Sequence, residues 1–405
     1  MKRLNDEEKR QLGLLIFYYR SSYFRSARND NENFKQVNFC RGICSQAQLS
    51  RLENGEPLKD HEIYWLLLDK LNLKYERISS KEVLTFESYY EYIYEYQNND
   101  QLAINYNEYI LMINHFQNVF RNNVIYTHYN YALEFIVNIL NEDLEEAYIL
   151  LELVEKTLDI LPPQLLILTL HYIGKYYYLI NEYHVANKYY LLSLEHMHKN
   201  NLSNNVIYFD IAINEIKRKS YIQASYYLNR ALGFYLNTNN QLTLGKIYFY
   251  FGLLYTLNKE YDISYRMLNK ALEIAHTIHK RELLVNIYNL YVVNLYLTEN
   301  LQKALIYLNE ALLVESNKIS RLLEVLIKHK LKQNPDDNLL GDNYFEIYQF
   351  VKLEDKEKYF EEVIEPKLNK YDILIQHVVL NELYVEYKTK KKYKKALELL
   401  EKYKI

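Results

Sequence analysis

The chain of 405 residues contains only 8 Gly and 5 Pro, far below the roughly 7% and 5% of average usage. That scarcity excludes sheet-rich folds built on many tight turns and makes long helices the default reading. Cysteine is nearly absent as well. Cys40 and Cys44 are too few for a disulfide framework, and with His61 as the only nearby imidazole they fall short of the three or four ligands of a zinc site. They are read as small thiols packed in a reduced protein. No apolar run approaches the roughly 18 residues that span a bilayer, and the start Met1-Lys2-Arg3-Leu4-Asn5-Asp6-Glu7 lacks the apolar core of a secretory signal. The expectation is a cytoplasmic chain with no membrane association.

A dominant charge sign is also missing, since 49 Lys+Arg face 52 Asp+Glu for a net −3, which excludes a globally basic chain. The distribution is uneven, because Met1–Tyr75 holds 13 Lys+Arg against 10 Asp+Glu, the sign expected of a segment that meets phosphate. What the sequence does hold is apolar content, 49%, enough to fill cores throughout. Its 45 Tyr, with many Asn, Ile and Lys, match a codon bias toward A and T, so their abundance alone marks no site.

From Asp6 to Arg20, Leu12, Leu15, Ile16 and Tyr19 recur at helical spacing. The polar stretch Ser21–Asn33, with Asn29-Asp30-Asn31-Glu32-Asn33, reads as a loop or a frayed extension. A short helix then ends at Gly42, Ser45 is a good N-cap for the next, and Asn54-Gly55 stops it. Two short helices joined by a Gly-containing turn form the core of a helix-turn-helix. On the second of them Leu49 and Leu52 point inward, while Ala47, Ser50 and Arg51 point outward with Gln46 and Gln48 on the flanks. Such a face suits a major groove: Gln pairs with adenine, the Ala methyl meets a thymine methyl, and Arg reaches guanine or phosphate. Gln36, opening the preceding helix, is placed to contact phosphate.

These residues resemble the Cro/C1-type (XRE) helix-turn-helix family. The resemblance lies in Gly13, Ile16 and Arg20, in Gln36, and in Ser45, Leu49, Ser50, Leu52, Glu53 and Gly55. The form Cys40-x-Gly42-Ile43-Cys44-Ser45 followed by Leu49-Ser50-Arg51-Leu52-Glu53-Asn54-Gly55 is similar to Gram-positive regulators that bind signalling peptides (RNPP or Rgg-like), with an insertion between the first two helices. Ile63, Trp65, Leu66, Leu68, Leu71 and Leu73 would complete the small core.

Beyond Glu82, small residues recur as Ala147, Ala186, Ala224, Ser264 and Ala304, at intervals of 39, 38, 40 and 40. Two antiparallel helices and their turns fit in about 40 residues, and a small side chain lets the pair approach closely. Tyr248, Phe251, Gly252 and Tyr255, then Tyr261, Ser264, Leu268 and Ala271, resemble the tetratricopeptide pattern, as do Gly174, Tyr177, Tyr183, Ala186, Tyr190 and Ser193. Tyr296 stands one residue too close to Ala304 for the standard turn, the segment between Asn317 and Asn369 is divergent, and Tyr384, Tyr387, Tyr393, Ala396 and Leu400 suggest a last unit.

The expected fold is all-α, an N-terminal helix-turn-helix domain (1–75), a linker (76–88), and a right-handed superhelix of TPR-like hairpins (89–405) for peptide binding and oligomerisation. Repeat-family analogy places His171, Lys175, Tyr178, Phe249, Leu253, Thr256 and Asn294 on the inner wall, where Lys175 would meet a peptide carboxylate and Asn294 a peptide backbone. The implied function is a transcription regulator of the quorum-sensing kind. Its partners would be a double-stranded DNA operator and a short signalling peptide, and the resemblance implies a homodimer on two half-sites. The alternative is a TPR scaffold that sequesters another protein and uses the N-terminal domain for docking; a phage-encoded regulator with the same logic is a third reading. No phosphate loop, nucleophile elbow or metal motif is present in the sequence, so neither catalysis nor a cofactor is expected.

Overall fold

The computed structural model describes residues 3–26, 32–98, 105–202, 205–338 and 340–403. Among these the regular elements are helices, apart from an isolated bridge between Tyr75 and Asn123. No helix among them is long and apolar enough to cross a membrane. The chain divides into two compact units, one of Met1–Gln97 with Leu102–Ile207 and a second built mainly from Tyr208–Ile405.

The first unit opens with α1 (Asp6–Ser26), α2 (Gln36–Phe39), α3 (Gln46–Glu53) and α4 (Glu62–Lys70). Helix α1 runs past Arg20 through Ser26, so the helical extension holds for that part, and Glu32–Phe34 forms a 3-10 turn; Asn29, Asp30 and Asn31 lie outside the described residues. Six further helices follow: α5 (Ser80–Asn98), α6 (Tyr106–Phe120), α7 (Val124–Leu140), α8 (Leu144–Lys156), α9 (Pro163–Leu179) and α10 (Tyr183–Lys199). The segment 76–88, expected as a linker, is helical from Ser80 onward. Just ahead of it, Glu76 N donates to Asn122 O at 2.7 Å and Val124 N donates to Lys74 O at 3.0 Å, tying this stretch to the α6–α7 corner.

The second unit contains α11 (Ile207–Lys217), α12 (Tyr221–Tyr235), α13 (Gln241–Leu257), α14 (Tyr261–Thr277), α15 (Arg281–Leu297), α16 (Leu301–Val314), α17 (Lys318–Lys330) and α18 (Asp342–Lys352). A short α19 (Glu357–Tyr359), continued by π and 3-10 turns to Lys370, precedes α20 (Ile373–Thr389) and α21 (Tyr393–Tyr403).

The repeat is physical. Ala147, Ala186, Ala224, Ser264, Ala304 and Ala396 each occupy the fourth position of the second helix of a hairpin, and all are buried. Opposite Gly174 the Tyr190 ring lies 2.5 Å from where a Cβ would stand, and opposite Gly252 the Leu268 Cδ2 lies at 2.6 Å. A larger residue at either end of these contacts would wedge the two helices apart.

The hairpins turn without glycine, which the sparse Gly count concealed. Glu142, Asn181, Lys219, Lys259, Glu299 and Lys391 have φ between 57° and 67°, and each stands five positions before its small residue. The next N–H then closes the helix end, as in Glu182 N to Tyr177 O, Glu260 N to Tyr255 O and Asn300 N to Leu295 O, each 2.8 Å. A left-handed backbone costs a non-glycine about 1 kcal/mol, offset by carbonyls that would otherwise be orphaned. Tyr296 does not disturb the register, because Leu295 takes the equivalent place. Its hydroxyl donates instead to Glu382 at 2.8 Å, with Lys330 Nζ 4.1 Å from the ring centre.

Candidate functional site

Helix α3 is held from three sides. Its Leu49 and Leu52 are fully buried with Leu12, Leu15 and Ile16 of α1. Gly13 of α1 faces the Leu52 carbonyl so closely that a Cβ there would strike the oxygen and lie 3.1 Å from the carbonyl carbon. The buried Glu53 carboxylate takes the Arg20 guanidinium through both oxygens, Nη2 to Oε2 at 2.9 Å, and accepts Gln36 Nε2 at 2.7 Å. Arg20 also donates to Phe34 O at 2.8 Å, anchoring the stretch that leads into α2. A buried fork-to-fork ion pair with a third donor on one carboxylate oxygen orients rigidly and tolerates loss of neither partner.

The start of α3 is a capping box. Gln48 N donates to Ser45 Oγ at 3.2 Å, and Ser45 N donates to Gln48 Oε1 at 3.0 Å. Gln46, Ala47, Gln48 and Arg51 are exposed and Ser50 is half-buried, so the outward face read from helical spacing is open within this unit. Two of its members have local duties: the Gln48 carbonyl is spent on the cap, and Arg51 Nε pairs with Glu56 Oε2 at 2.8 Å, both groups more than half exposed. Gln36 sits at the start of α2 as expected, but its side-chain amide serves Glu53 and is not held outward. The sequence carried no signal for that partner, seventeen positions away.

The opposite face of α1 was not anticipated as a contact surface. Gln11 Nε2 donates to Tyr129 OH at 2.6 Å and to Ile160 O at 2.9 Å, and Arg10 Nη1 donates to Asp159 O at 2.9 Å. Tyr19 OH lies 3.0 Å from His128 Nε2; burial pulls that imidazole down to about 4, so it is neutral at physiological pH. Helix α1 therefore packs on α3 with one face and on α7 and the turn at Asp159–Ile160 with the other. Of the cysteines, Cys40 is buried and Cys44 half-buried; burial pushes the Cys44 thiol up to about 11. His61 Nδ1 is engaged by Leu4 N at 3.2 Å.

The seven residues expected on a peptide-binding wall separate into two groups. Lys175, Tyr178 and Phe249 keep part of their surface. His171, Leu253, Thr256 and Asn294 do not, each at most 2% exposed. Asn294 corrects the expectation most clearly: its Oδ1 accepts Thr256 Oγ1 at 2.7 Å and its Nδ2 donates to Ser264 Oγ at 2.9 Å. Both ends of the amide that was to hold a peptide backbone hold the α13–α14–α15 crossing instead. His171 is packed between the Tyr172 and Tyr190 rings. These four positions face the neighbouring helix because a stacked array has two buried seams per hairpin, and helical spacing alone does not tell a seam from a wall.

No family model and no curated protein matches the chain. Solved structures similar to it include NprR in complex with its cognate peptide NprX, at 15% identity over 73% of this chain and 86% of that one, TM-score 0.47. BtubC from P. vanneervenii is 17% identical over 59% of this chain and 99% of its own, TM-score 0.39. A signal-transduction ATPase with a tetratricopeptide repeat sensor from Pyrococcus horikoshii is 16% identical over 98% of this chain and 50% of its own, TM-score 0.35.

Proposed function

We propose that the chain is a sequence-specific DNA-binding regulator, acting as a homodimer, whose helical repeats sense a short linear peptide. The observation that carries this reading is α3: capped, anchored by two fully buried leucines and a buried ion pair, yet presenting Gln46, Ala47 and Arg51 to solvent. In the major groove Gln46 would pair with adenine, Ala47 would meet a thymine methyl, and Arg51 would exchange Glu56 for a guanine edge. That exchange is cheap, since an exposed ion pair contributes at most about 1 kcal/mol. The N-terminus of α3 and the surrounding backbone would lie against phosphate. One recognition helix reads too few bases for strong selectivity, so two copies on half-sites one helical turn apart are needed.

Control by peptide is supported by the sharing of α1. A ligand that moves α7 or the turn at Ile160 relative to Gln11, Tyr19 and Arg10 moves the helix on which α3 rests, and differential affinity for two such arrangements is the whole requirement for coupling. Lys175, Tyr178 and Phe249 are the candidate contacts that retain surface. The reading assigns the chain no catalytic step. Its test is capture of genomic fragments by the full chain, then gel shift with the recovered fragment and Gln46→Ala combined with Arg51→Ala. The double variant should lose about tenfold or more, since a bidentate base contact carries about 1–3 kcal/mol of discrimination. Undiminished retention of the fragment by that variant excludes α3 as the reading helix.

A further inference from the structure

The second helix of each hairpin keeps one face in solvent, and the repeat register makes these faces comparable position by position. The residues two before, and two, five, nine and twelve after, the buried small residue are Asp262, Arg266, Asn269, Glu273 and His276 on α14, all exposed, as expected of a solvated face. On α12 the same five positions hold Ile222, Tyr226, Asn229, Gly233 and Leu236, all exposed and none charged. Ile222 is 85% exposed, Tyr226 55% and Leu236 56%. Of the other hairpins α16 comes nearest, with Ile306 and Leu313 at these positions. The α12 spacing, four residues then three, twice over, is that of a coiled-coil seam, while Ala224, Leu228, Ala231 and Tyr235 bury the opposite face. Gly233 is a second, separate sign. Gly42 and Gly55 have positive φ, Gly341 caps α18, and Gly13, Gly174, Gly245 and Gly252 press against neighbours. Gly233 weakens the helix it sits in, and nothing lies within 4 Å of its Cβ position, so packing within the chain gives no reason for it.

We propose that α12 is the contact helix of a homodimer, packed antiparallel on α12 of a second copy. The inference names the surface for the homodimer of the reading above, and rests on that reading. The stripe is nearly a palindrome about Asn229: Ile222 and Leu236 stand seven residues to either side, Tyr226 three before it and Gly233 four after. A two-fold axis at Asn229 sets Ile222 of each copy against Leu236 of the other and each Tyr226 ring into the gap left by Gly233, the self-complementarity that an isologous contact requires. Asn229 Nδ2 gives one N–H to Ser225 O at 2.8 Å; its other N–H and its Oδ1 would pair across the axis. A lone polar residue in an apolar seam fixes register and strand number. The antiparallel sense also brings each helix N-terminus to the C-terminal end of its mate, where the last turn has no cation of its own. Arg230, the one charge of α12, is engaged by Tyr208, so no like charges meet in the seam. Two helices of about 22 Å would cover on the order of 1,000 Å² in total, the lower limit of a specific interface, so the dimer exchanges with monomer.

Sedimentation of the full chain without DNA, over a dilution series, reads that equilibrium. Ile222→Arg should raise the dimer dissociation constant about tenfold or more, the loss of one apolar anchor, with the melting temperature of the monomer unchanged because the side chain stands in solvent. Gly233→Tyr and Tyr226→Ala should each weaken the dimer, and the two together should restore it, since large and small merely exchange sides. Asn229→Cys should yield a disulfide-linked dimer on oxidation, and Asn269→Cys, the equivalent position on α14, should not. A chain that stays monomeric at every concentration overturns the assignment and leaves the stripe to a partner of another kind. A dimer indifferent to Ile222→Arg overturns it as well, and one split instead by Ile306→Arg with Leu313→Arg moves the contact to α16. DNA retention through Gln46 and Arg51 is read separately by gel shift: a dimer that captures no fragment sinks the DNA reading and leaves the interface standing.

Discussion

Replacing Gly13 by Ala adds a single methyl group at the point where α1 and α3 approach each other at backbone distance. The new Cβ would strike the Leu52 carbonyl oxygen, with the carbonyl carbon at 3.1 Å and Leu52 Cδ2 at 3.5 Å. A backbone carbonyl inside a helix cannot rotate away, so the two helices must part by on the order of 1 Å to restore ordinary contact. That movement opens the seam of Leu12, Ile16, Leu49 and Leu52, none of which has measurable exposure, and stretches the Arg20–Glu53 pair. Overpacking of this kind costs about 3 kcal/mol at the upper end of its usual range, and the better helix propensity of Ala returns about 1 kcal/mol, leaving a net loss of about 2 kcal/mol. Gly233→Ala is the internal control, because nothing lies within 4 Å of its Cβ position in α12 and only the propensity gain of up to about 1 kcal/mol remains. Chemical denaturation followed by circular dichroism reads both, with gel shift as a second measurement on Gly13→Ala. A Gly13→Ala chain as stable as its parent, and still holding DNA, would refute the close packing of α1 on α3.

Glu53→Ala strands a buried guanidinium and should cost about 3–5 kcal/mol in denaturation of the first unit. Asn294→Ala removes the hub of the α13–α14–α15 hydrogen bonds and should cost about 1–3 kcal/mol while leaving peptide affinity unchanged once stability is accounted for; a large affinity loss without destabilisation would restore Asn294 as a contact residue. Lys391→Gly and Glu299→Gly relieve left-handed backbone at exposed turns and should each raise stability by about 0.5–1 kcal/mol, measured as a higher melting temperature. Burial lowers His128 to about 4, and burial with repulsion from Lys259 lowers His377 to about 4. The unfolded chain takes up these protons first, near pH 6.5, so the stability from neutral burial is full above that and is lost as pH falls toward 4. Between pH 7 and 4.5 each histidine should account for on the order of 2–3 kcal/mol, and His377→Leu should flatten that part of the pH profile; an unaltered slope would mean that the imidazole is already charged in the fold.

Amino-acid order alone determined what depends on neighbours within about one helical turn and what repeats along the chain at a fixed interval. The leucine spacing of α3, the Ser45 cap, the Asn54-Gly55 stop and the forty-residue recurrence of small residues all follow from periodicity and local capping, and each is where that logic places it. Tertiary structure decided the rest. Gln36 and Asn294 have partners 17 and 30 or more positions away, so their amides were consumed by contacts that no local pattern announces. Five of the six left-handed hairpin turns fall on Glu or Lys, residue types that carry no turn signal, and only Asn181 is of a type that favours the conformation; closure of the preceding helix and the fit of the hairpin impose it. The shared use of α1 exists only once helices far apart in the chain are brought side by side. Local propensity is a sum over a few bonds, whereas burial is settled by the whole packed unit.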